Sequence, residues 1–212
     1  MEWIIQLPIL FFSVMVHEVC HGWVALRNGD DTARRAGRLT FNPIAHVDPV
    51  GSVILPLFCY FSQLPMIGWA KPVPIDPARL LGARRWALFR VALVGPMSNL
   101  GLGLCAAIAF RVTAGGLGMF PRFQGTLLNA LVFAVSINVF LAFFNLLPVH
   151  PLDGSKVMSG LLSARYRRAY ERHRPYGTAI IIGLMAFGLL GPLVNFPSRI
   201  VFSLLSRLGL IW

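Results

Sequence analysis

The chain has 212 residues, 56% of them hydrophobic and 13% charged; soluble domains average about 45–50% apolar and about 25% charged residues, so the apolar excess cannot be hidden in one small aqueous core. The net charge is +11, from 19 basic and 8 acidic residues, but the basic residues flank apolar runs with no basic-aromatic platform or groove-reading motif. That sets nucleic acid aside as a partner and points to anionic lipid and membrane topology.

The first apolar run, about Trp3 to Leu26, is long enough to cross the hydrocarbon as a helix. Met1 and Glu2 supply no positive n-region and no A-x-A-like site follows, so a cleavable signal peptide is not expected. This run carries His17-Glu18-Val19-Cys20-His21, an HExxH sequence. On a helix, residues four apart share a face, so His17 and His21 can meet one metal ion while Glu18 stands beside it as a general base for bound water. Zinc, as one Zn2+ ion, suits imidazole and carboxylate ligands and lowers the pKa of bound water toward ~7. Two histidines and a glutamate at membrane depth are costly and mark function. The competing reading is a hydrogen-bonded polar cluster in a metal or proton transporter. The cysteines, Cys20, Cys59 and Cys105, stand in apolar context without a CxxC pair and read as small hydrophobes.

Arg27 to Pro49 is the least apolar stretch of the first half and is expected to form a short sheet or irregular loop. Val50 to Met66 is apolar but broken by Pro56 and Pro65, which fits a re-entrant segment better than a span. A second span is predicted at about Trp86–Phe110, where Gly95, Gly101 and Gly103 permit close helix approach. A third is predicted at about Thr126–Leu147, interrupted by Asn129, Ser136, Asn138 and Asn145, and a fourth at about Tyr176–Val194. Pro197 to Trp212 places Ser198, Arg199, Ser203, Ser206 and Arg207 near one face and reads as an interfacial helix. The fold class is therefore mainly α: one polytopic membrane domain over residues 1–212, with about four transmembrane helices, a re-entrant, short β-containing segment after the first and a C-terminal interfacial helix. Arginine and lysine crowd the connections after the first and third spans, which makes those cytoplasmic and puts Met1 outside.

A catalytic zinc needs a third protein ligand and an open position. Asp153 lies just past the inner end of the third span, at the level of His17 and His21, and Pro148 and Pro151 could aim it back at the metal. His150 is the rival ligand. Asp153 could instead cap the helix that starts at Gly154, or sit in a solvated turn.

Taken together, HEVCH at His17–His21, FNPIAHVDPVG from Phe41, GWAKPVPID from Gly68, GPMSN from Gly95 and NLLPVHPLDG from Asn145 resemble the site-2 protease family of intramembrane zinc metalloproteases. The likeness covers most of the chain and is to the compact prokaryotic branch without PDZ or CBS domains. It implies His17, His21 and Asp153 as zinc ligands, Glu18 as general base, and Asn145 as a residue that holds the substrate or the developing oxyanion. The implied substrate is a transmembrane protein or peptide, cut in or near its membrane segment, in a cell membrane with the site toward the cytoplasm. His150 departs from the proline or small apolar residue expected before Pro151. Asn99 reads as helix packing, His46 and Asp48 as loop-fixing residues, and His173 as solvated. An extended substrate could be clamped by Val50–Met66 or by an edge strand within Arg38–Val50. Besides the transporter, which four spans without a repeat disfavour, a non-catalytic binder of membrane helices is the alternative.

Overall fold

Apolar runs in a medium without water must close their backbone hydrogen bonds internally, and each long run in this chain does so as a helix. The computed structural model describes residues 3–62, 70–115 and 121–211. Helix α1 (Trp3–Arg27) is followed by the single turn α2 (Thr32–Arg35), a 3-10 turn at Pro43–His46, and a π turn at Pro49–Ile54 that runs into α3 (Leu55–Phe61). Then come α4 (Arg84–Ala114), α5 (Pro121–Asn145), α6 (Asp153–Leu161), α7 (Ala164–Glu171), α8 (Gly177–Ala186) and α9 (Leu190–Arg207). Helices α1, α4 and α5 are each long and apolar enough to cross a membrane, and the bent unit that ends in α8 and α9 could make a fourth span. The chain is thus a mainly helical, multi-pass membrane protein.

Burial supports lipid as the solvent. Many exposed positions on the long helices are large and apolar, among them Ile4 and Phe12 on α1, Met97 and Ile108 on α4, Leu127 and Phe140 on α5. Fully buried positions on the same helices include the polar residues Ser13, His17, His21, Asn99 and Asn138. A protein in water sorts these the other way; here the polar groups are gathered where other protein groups can satisfy them. Helix α4 is central, packing against α1, α5 and α6. Ala25, Leu80, Ala87 and Val91 form one apolar cluster between α1 and α4, and Ala107, Val135, Val139, Leu205 and Ile211 form another between α4, α5 and the C-terminal segment.

Three expectations need correction. There is no strand among the described residues, so the β-containing segment after α1 is replaced by turns and loop. Its order comes from side chains: Asp48 Oδ1 accepts from the N–H groups of Val50 and Gly51 (3.0 and 2.7 Å), and the fully buried His46 bonds Thr40 O through Nε2 (2.9 Å). With no strand there, an edge-strand clamp over Arg38–Val50 has no basis. Second, Tyr176–Val194 is not one straight span. Gly188, at φ +67, ends α8, with its N–H on Met185 O (3.0 Å) and the Leu189 N–H on Leu184 O (2.8 Å). That left-handed glycine stop releases the chain in a new direction, and α9 departs at 82°. Third, the C-terminal helix begins at Leu190 rather than Pro197, with Pro197 inside it. Met1, residues 63–69 and Trp212, on which parts of the orientation, re-entrant and interfacial readings fall, lie outside the described residues.

Past α1, a stretch of extended chain, residues 70–76, is strapped along the helix. Its anchors are Lys71 N–H to His46 O (2.8 Å) and Asp76 N–H to the buried carboxylate of Asp30 (2.7 Å). Asp30 Oδ1 also accepts the Thr32 N–H (3.0 Å). Burial by itself would raise the Asp30 pKa, but the donors from Thr32 and Asp76 and the nearby Arg79 outweigh it and hold the carboxyl below the usual range. The strap carries Val73 to the face of α1 that bears Glu18.

Candidate metal centre

Ser13, His17 and His21 succeed one another at spacing four, so one stripe of α1 turns toward α4 and α5. Both histidines are 5% exposed, and Asp153, the first residue of α6, is 6% exposed. His17 Nε2 lies 3.0 Å from His21 Nε2, and Asp153 Oδ2 lies 3.1 Å from the first and 2.9 Å from the second. Leu152 holds the cap position of α6, so the Asp153 carboxylate is not spent on capping. His150, the rival third ligand, turns away: its Nδ1 bonds Ser155 Oγ at 3.0 Å.

The outer nitrogens decide what the inner ones are. His17 Nδ1 lies 2.6 Å from Asn99 Oδ1, and His21 Nδ1 lies 2.6 Å from the Val91 carbonyl oxygen. Both partners only accept, so in each neutral ring Nδ1 carries the proton and Nε2 presents a lone pair inward. Asn99 is oriented in turn, because its Nδ2 donates to Ser13 O (3.3 Å) and Asn138 Oδ1 (2.9 Å), while Asn138 Nδ2 donates to Ser13 Oγ (2.9 Å). Lys156 Nζ binds the other Asp153 oxygen, Oδ1, at 3.1 Å. Burial alone would push the Asp153 carboxyl up; the two imidazoles and Lys156 outweigh it and hold the group well below the usual carboxylate range. Two lone pairs and an anionic oxygen therefore converge in one buried space, an arrangement that a cation resolves. Ligands on ~2.0–2.1 Å bonds to a tetrahedral zinc stand roughly 3.3 Å apart, a few tenths of an ångström beyond the spacing here. The donor set and its size fit zinc.

Two close approaches make the convergence possible. A Cβ on Gly95 would lie 2.4 Å from His21 Nε2 and 2.7 Å from His17 Cε1, so no side chain can stand there. A Cβ on Gly154 would lie 2.1 Å from the Leu146 carbonyl oxygen, so this glycine lets the start of α6 seat against the end of α5 and aims Asp153 inward. Glu18 is half-buried on the adjacent face, its Oε2 accepting the Val73 N–H at 2.8 Å. Asn145 ends α5 and gives an amide hydrogen to Leu141 O of its own helix (2.9 Å); the structure does not bring it into the cluster. His173 is not simply solvated: its ring packs on Tyr170 and His150 at centroid distances of 4.6 and 5.1 Å.

Asn99 does more than pack helices, because it carries the His17 orientation. We expect Asn99→Ala to weaken zinc binding about 10–100-fold, the usual cost of losing such an outer hydrogen bond, as read by competition with a chromogenic chelator. A change of less than twofold would mean that packing alone orients His17.

Comparison with known proteins bears on the same residues. The model of peptidase family M50 matches residues 121–190, the stretch that holds Asn145 and Asp153. YwhC of Bacillus subtilis, named as a candidate zinc metalloprotease, is 33% identical over 207 residues, covering 94% of this chain and 90% of YwhC. Rip2 of Mycobacterium tuberculosis H37Rv, named likewise, is 28% identical over 184 residues, 86% of this chain and 65% of Rip2. Zinc metalloprotease MJ0392 of Methanocaldococcus jannaschii is 22% identical over 191 residues, 89% of this chain but 44% of that longer protein. No solved structure matches.

Proposed function

The chain belongs to peptidase family M50, and from that premise we propose that it is an intramembrane endopeptidase, cutting membrane-protein substrates in or near their transmembrane segments. Its chemistry is that of a zinc metalloprotease. One observation carries the finer reading: three proton-free donor atoms, from His17, His21 and Asp153, meet within 3.1 Å of one another among helices of membrane-spanning length. In this reading residues 1–212 form a single integral-membrane catalytic domain. The arginine-rich connections support a site toward the cytoplasmic side of a cell membrane.

The three residues would hold one Zn2+ ion, which when bound supplies Lewis-acid activation of a water molecule and of the scissile carbonyl. Glu18 accepts the proton that the attacking water gives up and returns it to the leaving amine. The Val73 N–H, bonded to Oε2, keeps that carboxylate from turning away. Asn99 and the Val91 carbonyl hold the imidazoles with Nε2 inward throughout. Asn145, at the helix end that precedes the Asp153 turn, contributes an amide donor to the substrate or its oxyanion once it exchanges its bond to Leu141. A peptide bond within a helix is shielded by its own hydrogen bonds, so the substrate must unwind before attack. An apolar cleft of about 340 Å3 between α1 and the Pro43–Pro56 segment reaches Val14, one helical turn before Glu18. It offers an unwound segment an apolar place to lie. Membrane lipid is the second partner, on the exposed apolar faces of the spans.

The direct test is purification in neutral detergent, metal analysis, and mass spectrometry of fragments from single-span membrane proteins. One zinc per chain and a cut within or at the edge of the substrate's span are expected. Cleavage confined to water-exposed loops would overturn the intramembrane reading.

A further inference from the structure

At the same end of the spans as the Asp153 turn, a second site is built that the peptidase chemistry does not use. The first turns of α4, the turn after α5, and α6, α7 and the start of α8 enclose an open groove of about 920 Å3. Four fixed cations line it, Arg85, Lys156, Arg167 and Arg174, against one acid, Glu171. Arg85 is committed to the carbonyl oxygens of Gly160 and Leu161, and Lys156 to Asp153. The guanidinium groups of Arg167 and Arg174 make no hydrogen bond or ion pair among the described residues. Two buried polar atoms of groove-lining residues, His150 Nε2 and Ser159 Oγ, also lack a partner among them.

The chemistry of those atoms narrows the ligand. Ser155 Oγ gives its proton to Leu152 O (2.7 Å) and so accepts from His150 Nδ1, which leaves a lone pair on His150 Nε2. Burial and the charges of His173 and Arg174 push the His150 imidazole down, favouring that neutral form. The groove thus offers free guanidinium groups for an anion and, beside them, an acceptor that needs a donor. An anion with no proton to donate satisfies only the first requirement, whereas a phosphate ester bearing a hydroxyl satisfies both. The groove lies where the spans end, the level of lipid headgroups. We infer that the groove between α4, α6 and α7 binds a hydroxyl-bearing phosphate ester: the glycerol phosphate headgroup of an anionic lipid, or the same group free in solution.

The inference stands apart from the peptidase reading, because its test reads binding. Zinc-loaded protein in neutral detergent is given phosphatidylglycerol, phosphatidylcholine or sn-glycerol 3-phosphate, and bound ligand is counted by native mass spectrometry. Selective retention of one phosphatidylglycerol, weakened about 30-fold in Arg167→Gln/Arg174→Gln, supports the lipid source. Retention of glycerol 3-phosphate but not of the lipid, with the same loss in the variant, supports the free ester. Neither ligand binding, or equal binding by wild type and a variant whose zinc content and melting temperature are unchanged, overturns the proposal. If the double variant loses zinc or unfolds, His150→Phe replaces it: it removes the acceptor while leaving the arginines, and undiminished selectivity for the glycerol headgroup then overturns the proposal.

Discussion

Glu18→Gln is expected to bind zinc as the wild type does and to lose cleavage by about 10^2–10^4-fold, the usual contribution of a positioned general base. Glutamine has the same shape, and its amide oxygen can still accept the Val73 N–H that Glu18 accepts at 2.8 Å, so the strap and α1 should not move. The residues proposed to hold zinc are His17, His21 and Asp153, and none of them hydrogen-bonds Glu18 among the described residues. What disappears is the capacity to take a proton from water and deliver it to the leaving amine. The measurement is turnover of a single-span substrate normalised to zinc content. The same variant separates the alternatives. A transporter or a non-catalytic helix binder would tolerate it, so activity within a few-fold of wild type would remove Glu18, and with it the hydrolytic reading of this site.

Asp153→Asn should act one step earlier, on the metal itself. The substitution is nearly isosteric and leaves two neutral imidazoles with an amide between them, while Lys156, now 3.1 Å from a group without charge, keeps its own positive charge at the edge of the site. Zinc then loses its only anionic protein ligand and gains a repulsive neighbour. Affinity should fall by more than the 10–100-fold that the loss of an outer-shell hydrogen bond costs, so that the protein emerges from chelating buffer without metal. Because a ligand stabilises the state it binds, the wild type should also melt higher with zinc than without it, and the variant should show no such difference. Wild-type zinc affinity in Asp153→Asn would mean that the third ligand is another residue and that the assembled site is misassigned.

The carriers of chemistry are legible in the amino-acid sequence because they are local. HExxH needs only helical spacing to bring two imidazoles to one face, and the cost of polar groups in an apolar run flags Asn138 and Asn145 as needing partners. The choice among those partners is not legible. Asn99 reads as a packing residue from GPMSN, yet its amide oxygen sits 2.6 Å from His17 Nδ1, a contact between residues 82 positions apart that no spacing rule encodes. Asn145 stands out equally in its span and turns out to bond its own helix. Gly95 reads only as a site of close helix approach in general; the specific object it makes room for, a pair of imidazoles, appears only when α1 and α4 are in contact.

Boundaries follow the same division. The starts and ends of α1, α4 and α5 fall within a few residues of their apolar runs, since hydrocarbon admits few alternatives to a helix. The fourth span departs from expectation because Gly188 reads as one more small residue in an apolar run, whereas its left-handed backbone at φ +67 ends α8 and swings α9 away by 82°. The stretch after α1 is no sheet because its order comes from side-chain caps and a strap to Asp30, not from strand pairing.

By itself, then, the sequence determined the solvent, the helical class and the pair of histidine donors, which depend on composition and short-range period, while the order of motifs along the chain carried the family likeness. Only the tertiary structure decided which lone pairs face inward, that Asp153 rather than His150 stands beside the two histidines, and where the free arginines gather, because each depends on distances between segments brought together by packing around α4.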